Sequence, residues 1–270
     1  RDVEVKALVH GKVSAMAGKA AFDAVKKVIE MAMADDVDAT VTGPINKEAL
    51  NLAGYHYSGH TEIYADFTKT KDYTMMLAEG KLRVVHVSTH VSLREACDRV
   101  KKDRVFSVIK LAYDAMRAFG IEGPRIGVAG LNPHASDGGL FGWEEKDEIS
   151  PAIFRARSEG LDVDGPVPPD TLFSKALGGH YDIVVAMYHD QGHIPLKVVG
   201  FVWDEISGSW KSVSGVNITL GLPIIRTSVD HGTAFEIAGK GIATEESLVN
   251  AIDYAIQLAR QRILKAKRSG

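Results

Sequence analysis

One cysteine, Cys97, stands among 270 residues, so no internal disulfide braces the fold and a reducing compartment suits the chain. Long apolar runs are missing too; none approaches the roughly 20 residues that span a bilayer. There is no basic excess. Lys and Arg number 32 against 35 Asp and Glu, a net charge of −3, and the basic run at 265–268 is too short to hold nucleic acid. The chain opens Arg1-Asp2-Val3-Glu4-Val5 with neither an initiator Met nor a signal peptide, which points to a start inside a longer protein. Compact metal spacings such as CxxC and HExxH are absent, as are a Walker A loop and a GxGxxG opening a βαβ unit. What remains, 45% hydrophobic and 25% charged, is globular in composition. Its length fits one large α/β domain or two modest ones, since single cores stop growing at roughly 250–300 residues. A cytoplasmic protein is expected, touching neither membrane nor nucleic acid.

Apolar residues at three-to-four spacing predict three helices. Phe22, Val25, Ile29 and Ala32 stripe residues 19–34; Val105, Ile109, Ala112 and Met116 stripe a second that ends at Gly120. Leu248, Ile252, Ala255, Ala259 and Ile263 stripe the last, with Thr244 as N-cap and Glu245 and Glu246 matching the helix dipole. Between them lie short runs without polar alternation, at 39–41, 82–87, 125–129 and 182–187, the pattern of parallel strands buried on both faces. Helices alternating with such strands predict an α/β sheet.

Each run passes straight into polar residues: Thr42-Gly43-Pro44-Ile45-Asn46-Lys47, Ser88-Thr89-His90, Leu131-Asn132-Pro133-His134 and Tyr188-His189-Asp190-Gln191-Gly192. Ligands of open parallel sheets bind beyond the carboxyl ends of strands, so these four ends are expected to meet in one cleft. Three carry a histidine. His90, His134 and His189 either form a three-ligand metal site with an open position or hydrogen-bond their own turns. Asp190 could orient a ligand or act as a base. Asp170, in Pro168-Pro169-Asp170-Thr171, is a helix N-cap or a site carboxylate. His193 follows His189 by four, but Gly192 and Pro195 argue against a helix there; His10, His56, His86, His180 and His231 receive no metal role. Lys197, Asn217 and Arg226, with His60 and Thr61, suit a phosphate or carboxylate; Arg226 follows an apolar run that would hold its backbone inside. The glycine-rich stretches at 132–142 and 230–241 offer backbone N–H groups to a pyrophosphate.

Taken in order, Thr42–Lys47, Gly59-His60-Thr61-Glu62, Ser88-Thr89-His90, Leu131–His134, Pro169-Asp170-Thr171, Tyr188–Gly192, Gly215-Val216-Asn217-Ile218-Thr219-Leu220-Gly221 and Arg226–Thr233 resemble the 4-hydroxythreonine-4-phosphate dehydrogenase (PdxA) family. The resemblance runs over nearly the whole chain, short of the family's N-terminal Gly-Asp-Pro-Ala-Gly-type segment. It implies a two-lobed α/β/α fold like that of isocitrate and isopropylmalate dehydrogenases, one lobe from residues 1–80 and 225–270 on the NAD side, the other from 81–224. It also implies a homodimer with a shared active site and a divalent metal, zinc or else Mg, Mn or Co, between subunits. His90, His134 and His189 match the ligands; His60, Thr61, Lys197, Asn217 and Arg226 match the phosphate-substrate contacts. His231, Gly232, Thr233 and Ala234 fall in the NAD loop, and Asp170, Asp190 and Lys197 are the matching catalytic residues. One departure is a 202–214 insertion, whose alternating polarity about Ser207-Gly208 predicts a β-hairpin. With Gly192-His193-Ile194-Pro195-Leu196 it resembles the branch that oxidises 4-phosphorylated threonate or erythronate.

The expected activity is therefore NAD- and metal-dependent oxidation and decarboxylation of a 4-phosphorylated 3-hydroxy acid. Rival readings are a dehydrogenase of a non-phosphorylated cyclic diol dicarboxylate, a phosphate acyltransferase of similar fold, and a binding module without catalysis.

Overall fold

The computed structural model describes residues 8–206 and 208–269; the chain's opening residues and Ser207, at the turn of the expected hairpin, lie outside the described residues. Three expected helices form within a few residues of their stripes. Helix α1 (Ala15–Met33) starts where the Ser14 side chain accepts from Ala17 N, and buries Phe22, Val25, Ile29 and Ala32. After strand β1 (Thr40–Thr42) come α2 (Lys47–Leu52), capped by Asn46, and α3 (His60–Phe67). Strands β2 (Thr74–Glu79) and β3 (Leu82–His86) form a hairpin, followed by α4 (Leu93–Arg99) and α5 (Lys102–Ala118). Then β4 (Ile126–Ala129), α6 (Ser150–Ser158), β5 (Val163–Val167), α7 (Pro169–Leu177) and β6 (Ile183–Ala186) alternate. Last come α8 (His189–Gly200), the hairpin strands β7 (Phe201–Asp204) and β8 (Ser209–Val213), β9 (Val216–Leu220), β10 (Arg226–Val229) and α9 (Glu246–Ser269). Helix α9 begins two residues after Thr244, with Val249 N donating to Glu245 O, so Glu245 rather than Thr244 precedes its first turn.

Eight strands make one continuous sheet in the order β1-β10-β9-β2-β3-β6-β4-β5, and β7 pairs only with β8. The four apolar runs read from sequence are β1, β3, β4 and β6, and each has a parallel neighbour. The sheet is mixed, however: β9 is antiparallel to both β10 and β2, and β2 to β3. Strands β1 and β10 therefore run opposite to β3, β6 and β4, and the four strand ends do not share one edge. Strand direction is set by neighbours distant in sequence, which no local run of Val and Ile encodes.

Side-chain alternation divides the sheet's two faces. Met76, Val85, Ile126, Val128, Val185 and Ile218 pack with α5, α6 and α9 in the largest core cluster. Met75, Leu77, Val84, Val184 and Ala186 point the other way, onto Leu172 of α7 and Leu196 of α8. A third cluster joins α1, α2 and α3 through Phe22, Leu50, Ile63 and Tyr64. Full burial of each such side chain is worth about 1.5–3 kcal/mol, which fixes these helices on the sheet. The result is an α/β/α sandwich with two helical groups on one face and a gap between them. The boundaries 80/81 and 224/225 fall in the β2–β3 turn and between β9 and β10; β9 lies between β10 and β2.

One expectation is overturned at α8, which is helical through Gly192 and Pro195. Gly192 is present for clearance rather than as a breaker: a Cβ there would stand 2.4 Å from His86 Nε2 and 2.7 Å from Val84 Cγ1. Pro195 costs one N–H donor and strain, which packing of Leu196 in the core offsets.

Candidate active site

A cavity of about 300 Å³ opens over the sheet face between the two helical groups. Its floor follows from register. Asn217 pairs with Leu77 and Ser228, Met75 with Thr219, and Arg226 with Thr40, so Met75, Asn217, Arg226 and Ser228 project from the same face. Lys47 at the start of α2, His60, Thr61 and Glu62 at the start of α3, and His193 of α8 line its walls. A larger hollow of about 560 Å³ beside Phe154 and Arg155 lies on the outer face of α5 and α6, remote from these groups.

Arg226 dominates the electrostatics. It is 3% exposed; Nη1 donates to Thr219 Oγ1 at 3.0 Å, Nη2 to Thr42 Oγ1 at 2.9 Å, and Nε has no partner. The Tyr64 ring lies 5.6 Å from Cζ, and no carboxylate among the described residues pairs with the guanidinium. Burial pushes Arg226 down to about 10. A buried cation without an anion is costly, so the arrangement is suited to receive an anion from outside. Helix α3 points the same way. Its cap, Gly59, offers no side chain to the first-turn N–H groups of His60, Thr61 and Glu62, which are left for a ligand. Burial, and secondarily Arg226, lowers His60 to about 3, so its ring adds no charge at neutral pH. Asn217 aims Nδ2 at the Met75 sulfur and keeps a buried, unpartnered Oδ1.

Lys197, near the end of α8, is not on the cavity wall itself. Its ammonium donates to Asp230 O at 2.8 Å and to the Asp230 carboxylate, while Asp230 does line the cavity. Burial raises the Asp230 pKa, and the Lys197 ammonium offsets part of that rise.

Two of the three expected metal ligands come together. The rings of His90 and His189 lie 5.9 Å apart because their strands β3 and β6 are parallel neighbours. His189 Nδ1 is tied to Asp190 Oδ1 at 2.7 Å, which leaves Nε2 for a ligand. Burial lowers the His90 pKa, with Lys47 adding to the effect. Two imidazoles so placed suit a divalent transition ion. The third does not join them. His134 is exposed beside Phe141, and no group of three His, Cys, Asp or Glu among the described residues of one chain is placed to hold an ion. The cause is local: His134, Ala135, Ser136 and Asp137 take φ of 55°, 53°, 74° and 44°, a left-handed turn that carries the imidazole outward. Asn132 anchors the turn, its N donating to Glu145 Oε1 at 2.7 Å, and Ser136 Oγ donates to Gly142 O at 2.7 Å. Left-handed backbone costs roughly 1–2 kcal/mol per residue, and such strain concentrates at functional positions.

Asp170 and Asp190 stand outside the cavity. Asp170 is exposed in the first turn of α7, whose cap position is held by Pro168; Asp190 is 70% exposed and engaged with His189. Of the loop after β10, His231 and Gly232 line the cavity, and Thr233 and Ala234 lie beyond it, Ala234 with φ 44°. Lys47 lies in a strand-end segment expected in the cleft, whereas the sequence assigns no wall role to His193, Glu62 or Asp230, which line it. For His193 the signal existed, since its four-residue spacing from His189 gives parallel stacked rings 3.6 Å apart and 9° from coplanar.

Residues 1–255 match the family described as pyridoxal phosphate biosynthetic protein PdxA. The chain belongs to the PdxA family. The D-threonate 4-phosphate dehydrogenase of Salmonella typhimurium is 53% identical over 254 residues, 94% of this chain and 74% of that protein. A 4-hydroxythreonine-4-phosphate dehydrogenase structure from Klebsiella pneumoniae matches with TM-score 0.81 and 47% identity, over 94% of this chain and 74% of that one. A terephthalate 1,2-cis-dihydrodiol dehydrogenase structure from Burkholderia xenovorans LB400 matches with TM-score 0.69 and 32% identity, over 95% and 78%. All three are dehydrogenases, and this PdxA chain is an oxidoreductase. No helix among its described residues is long and apolar enough to cross a membrane.

Proposed function

We propose that this PdxA chain oxidises and decarboxylates a 4-phosphorylated 3-hydroxy acid, D-threonate or D-erythronate 4-phosphate or 4-hydroxythreonine 4-phosphate, with NAD as acceptor. The observation that carries the reading is the buried Arg226 guanidinium, paired with no carboxylate among the described residues and facing the cavity beside the uncapped start of α3. Arg226, Asn217 and the His60–Thr61 turn hold the phosphate, which places the reacting carbon toward His90 and His189. Asn217, with an unpartnered Oδ1, accepts a hydrogen bond from a substrate hydroxyl.

A divalent ion held by His90 and His189, with exposed His134 of a second copy completing the set, would supply Lewis-acid stabilisation of the negative charge that develops on the reacting oxygen. Nicotinamide dinucleotide on the 231–234 loop would accept the hydride. The chain's own residues do the rest. Asp190 fixes the His189 tautomer. Lys197 in its neutral amine form takes the hydroxyl proton, and the ammonium so formed, held by Asp230, returns that proton to the carbon that carbon dioxide leaves; Asp190, solvent-exposed and bonded to His189, is less suited to that task. The low-dielectric walls strengthen each of these interactions.

The test is NADH formation by the metal-loaded protein with each phosphorylated acid. Turnover of a phosphorylated acid, lost when the phosphate is omitted, supports the reading; turnover of a cyclic diol dicarboxylate alone overturns it in favour of the relative at 32% identity, with Arg226 then serving a carboxylate.

A further inference from the structure

We infer that Asp230 is a positioning residue that holds the Lys197 ammonium ready for proton transfer and ties it to the cofactor loop; the inference rests on the role proposed for Lys197. The Lys197 ammonium gives one hydrogen to the Asp230 main-chain oxygen, 2.8 Å away, and one to its carboxylate. A lysine has three such hydrogens, and two of them are committed to Asp230. The carboxylate is 9% exposed and the lysine side chain 31%, so the pair is sheltered and both ends are fixed. Phe201, at the start of the hairpin, covers the ammonium at 4.1 Å from its ring centroid.

Asp230 is itself held. Its N donates to Ser247 Oγ at 3.2 Å, and Ser247 Oγ donates to Gly215 O at 2.6 Å. Gly215 is required for clearance, because a Cβ there would stand 2.9 Å from Asp230 Oδ2. The carboxylate is thus boxed between the exit of the hairpin, the first turn of α9 and the lysine. Asp230 is also the residue from which the chain enters His231 and Gly232 on the cavity wall. One residue therefore joins α8, which carries His189 at its start and Lys197 near its end, to the loop assigned to the dinucleotide. Geometry of this kind sets the orientation of a group without touching substrate.

The experiment is a double-mutant cycle on the full chain, with an NMR readout beside it. Asp230→Asn should lower kcat about tenfold or more while KM for the phosphorylated acid stays within about twofold, and in a Lys197→Met background the same substitution should cost nothing further. An undiminished penalty in that background, or a rise in KM for NAD in place of the fall in kcat, would overturn the inference while leaving the proposed reaction standing. The nitrogen–proton signal of the Lys197 ammonium, assigned by its loss in Lys197→Met, should be present in the wild type and absent in Asp230→Asn. That readout needs no turnover and decides the positioning role even if no phosphorylated acid is oxidised. Should Asp230→Asn not fold, Gly215→Ala displaces the carboxylate without altering charge and should also remove the signal; persistence there counts against the assignment.

Discussion

Gly192 and His86 touch so closely that a single methyl cannot come between them: a Cβ on Gly192 would lie 2.4 Å from His86 Nε2. The His86 ring is fully buried, with neither nitrogen partnered, and α8 rests on it. Gly192→Ala should therefore lift α8, costing about 1–3 kcal/mol of stability and moving His189 relative to His90. A lower Tm together with weaker zinc binding is the expected result. An unchanged Tm would show that the helix can yield at no cost.

Arg226→Met should separate binding from stability. Loss of the charge removes hydrogen bonds worth about 1.5–3 kcal/mol to a bound anion, a fall in kcat/KM of roughly ten- to a hundredfold. Because an unpaired buried cation opposes folding, Tm should hold or rise. Kinetics with a phosphorylated acid and a thermal melt, made on the same preparation, check both halves.

Acid sensitivity should trace in part to His60. Its folded pKa of about 3 lies below the unfolded value of about 6.5, so between these pH values the unfolded chain binds the extra proton. The stabilisation is complete above pH 6.5 and is lost as pH falls toward 3, with a limiting slope of about 1.4 kcal/mol per pH unit. His60→Asn should flatten denaturant-derived stability across that window; an unaltered slope would show that the ring is not held neutral.

Completion of the metal site by a second copy can be read by mixing two inactive variants. His134→Ala and His189→Ala should each lose activity and zinc. Co-refolded in equal amounts, they should recover about a quarter of wild-type activity, since half of random dimers pair the two variants and each such dimer has one intact site. No recovery would place all ligands within one chain.

The 202–213 hairpin should be dispensable for folding, because β7 and β8 pair with each other and not with the main sheet. Phe201 lies opposite Val213 in register, so a short glycine turn can close the gap. The shortened chain should melt within a few degrees of the parent and differ in KM for the phosphorylated acid, because the hairpin joins Lys197 to Asn217.

The apolar runs at 39–41, 82–87, 125–129 and 182–187 disclosed four strands because strands buried on both faces need no polar alternation. The same rule would have disclosed β2, whose Met75-Met76-Leu77-Ala78 run is buried. What the runs could not carry was direction; with β1 and β10 reversed, the cavity takes in the segments after β1, β3 and β10 together with the sheet's face, and the His134 end lies outside it. Arg226 was readable because a charge directly after Gly221-Leu222-Pro223-Ile224-Ile225 has no outward path. His193 was not, because Gly192 and Pro195 speak for a break while the packing of His86 and Leu196 speaks for a helix, and tertiary packing prevailed. His134 was readable as a histidine after a strand, but the left-handed turn that sends it outward is anchored through Asn132 on Glu145, thirteen residues beyond Asn132.

The eight-stranded sheet runs without interruption beneath both helical groups, and this limits how the enzyme can admit and release its substrate. Hydrogen-bonded strands, not a linker, join one side to the other. Closure over a ligand is therefore expected to come from the roof pieces, the α3 turn, the start of α8 and the segment after β10, more than from bending of the pavement beneath. Substitutions in those pieces should then alter release rates before they alter the anion grip.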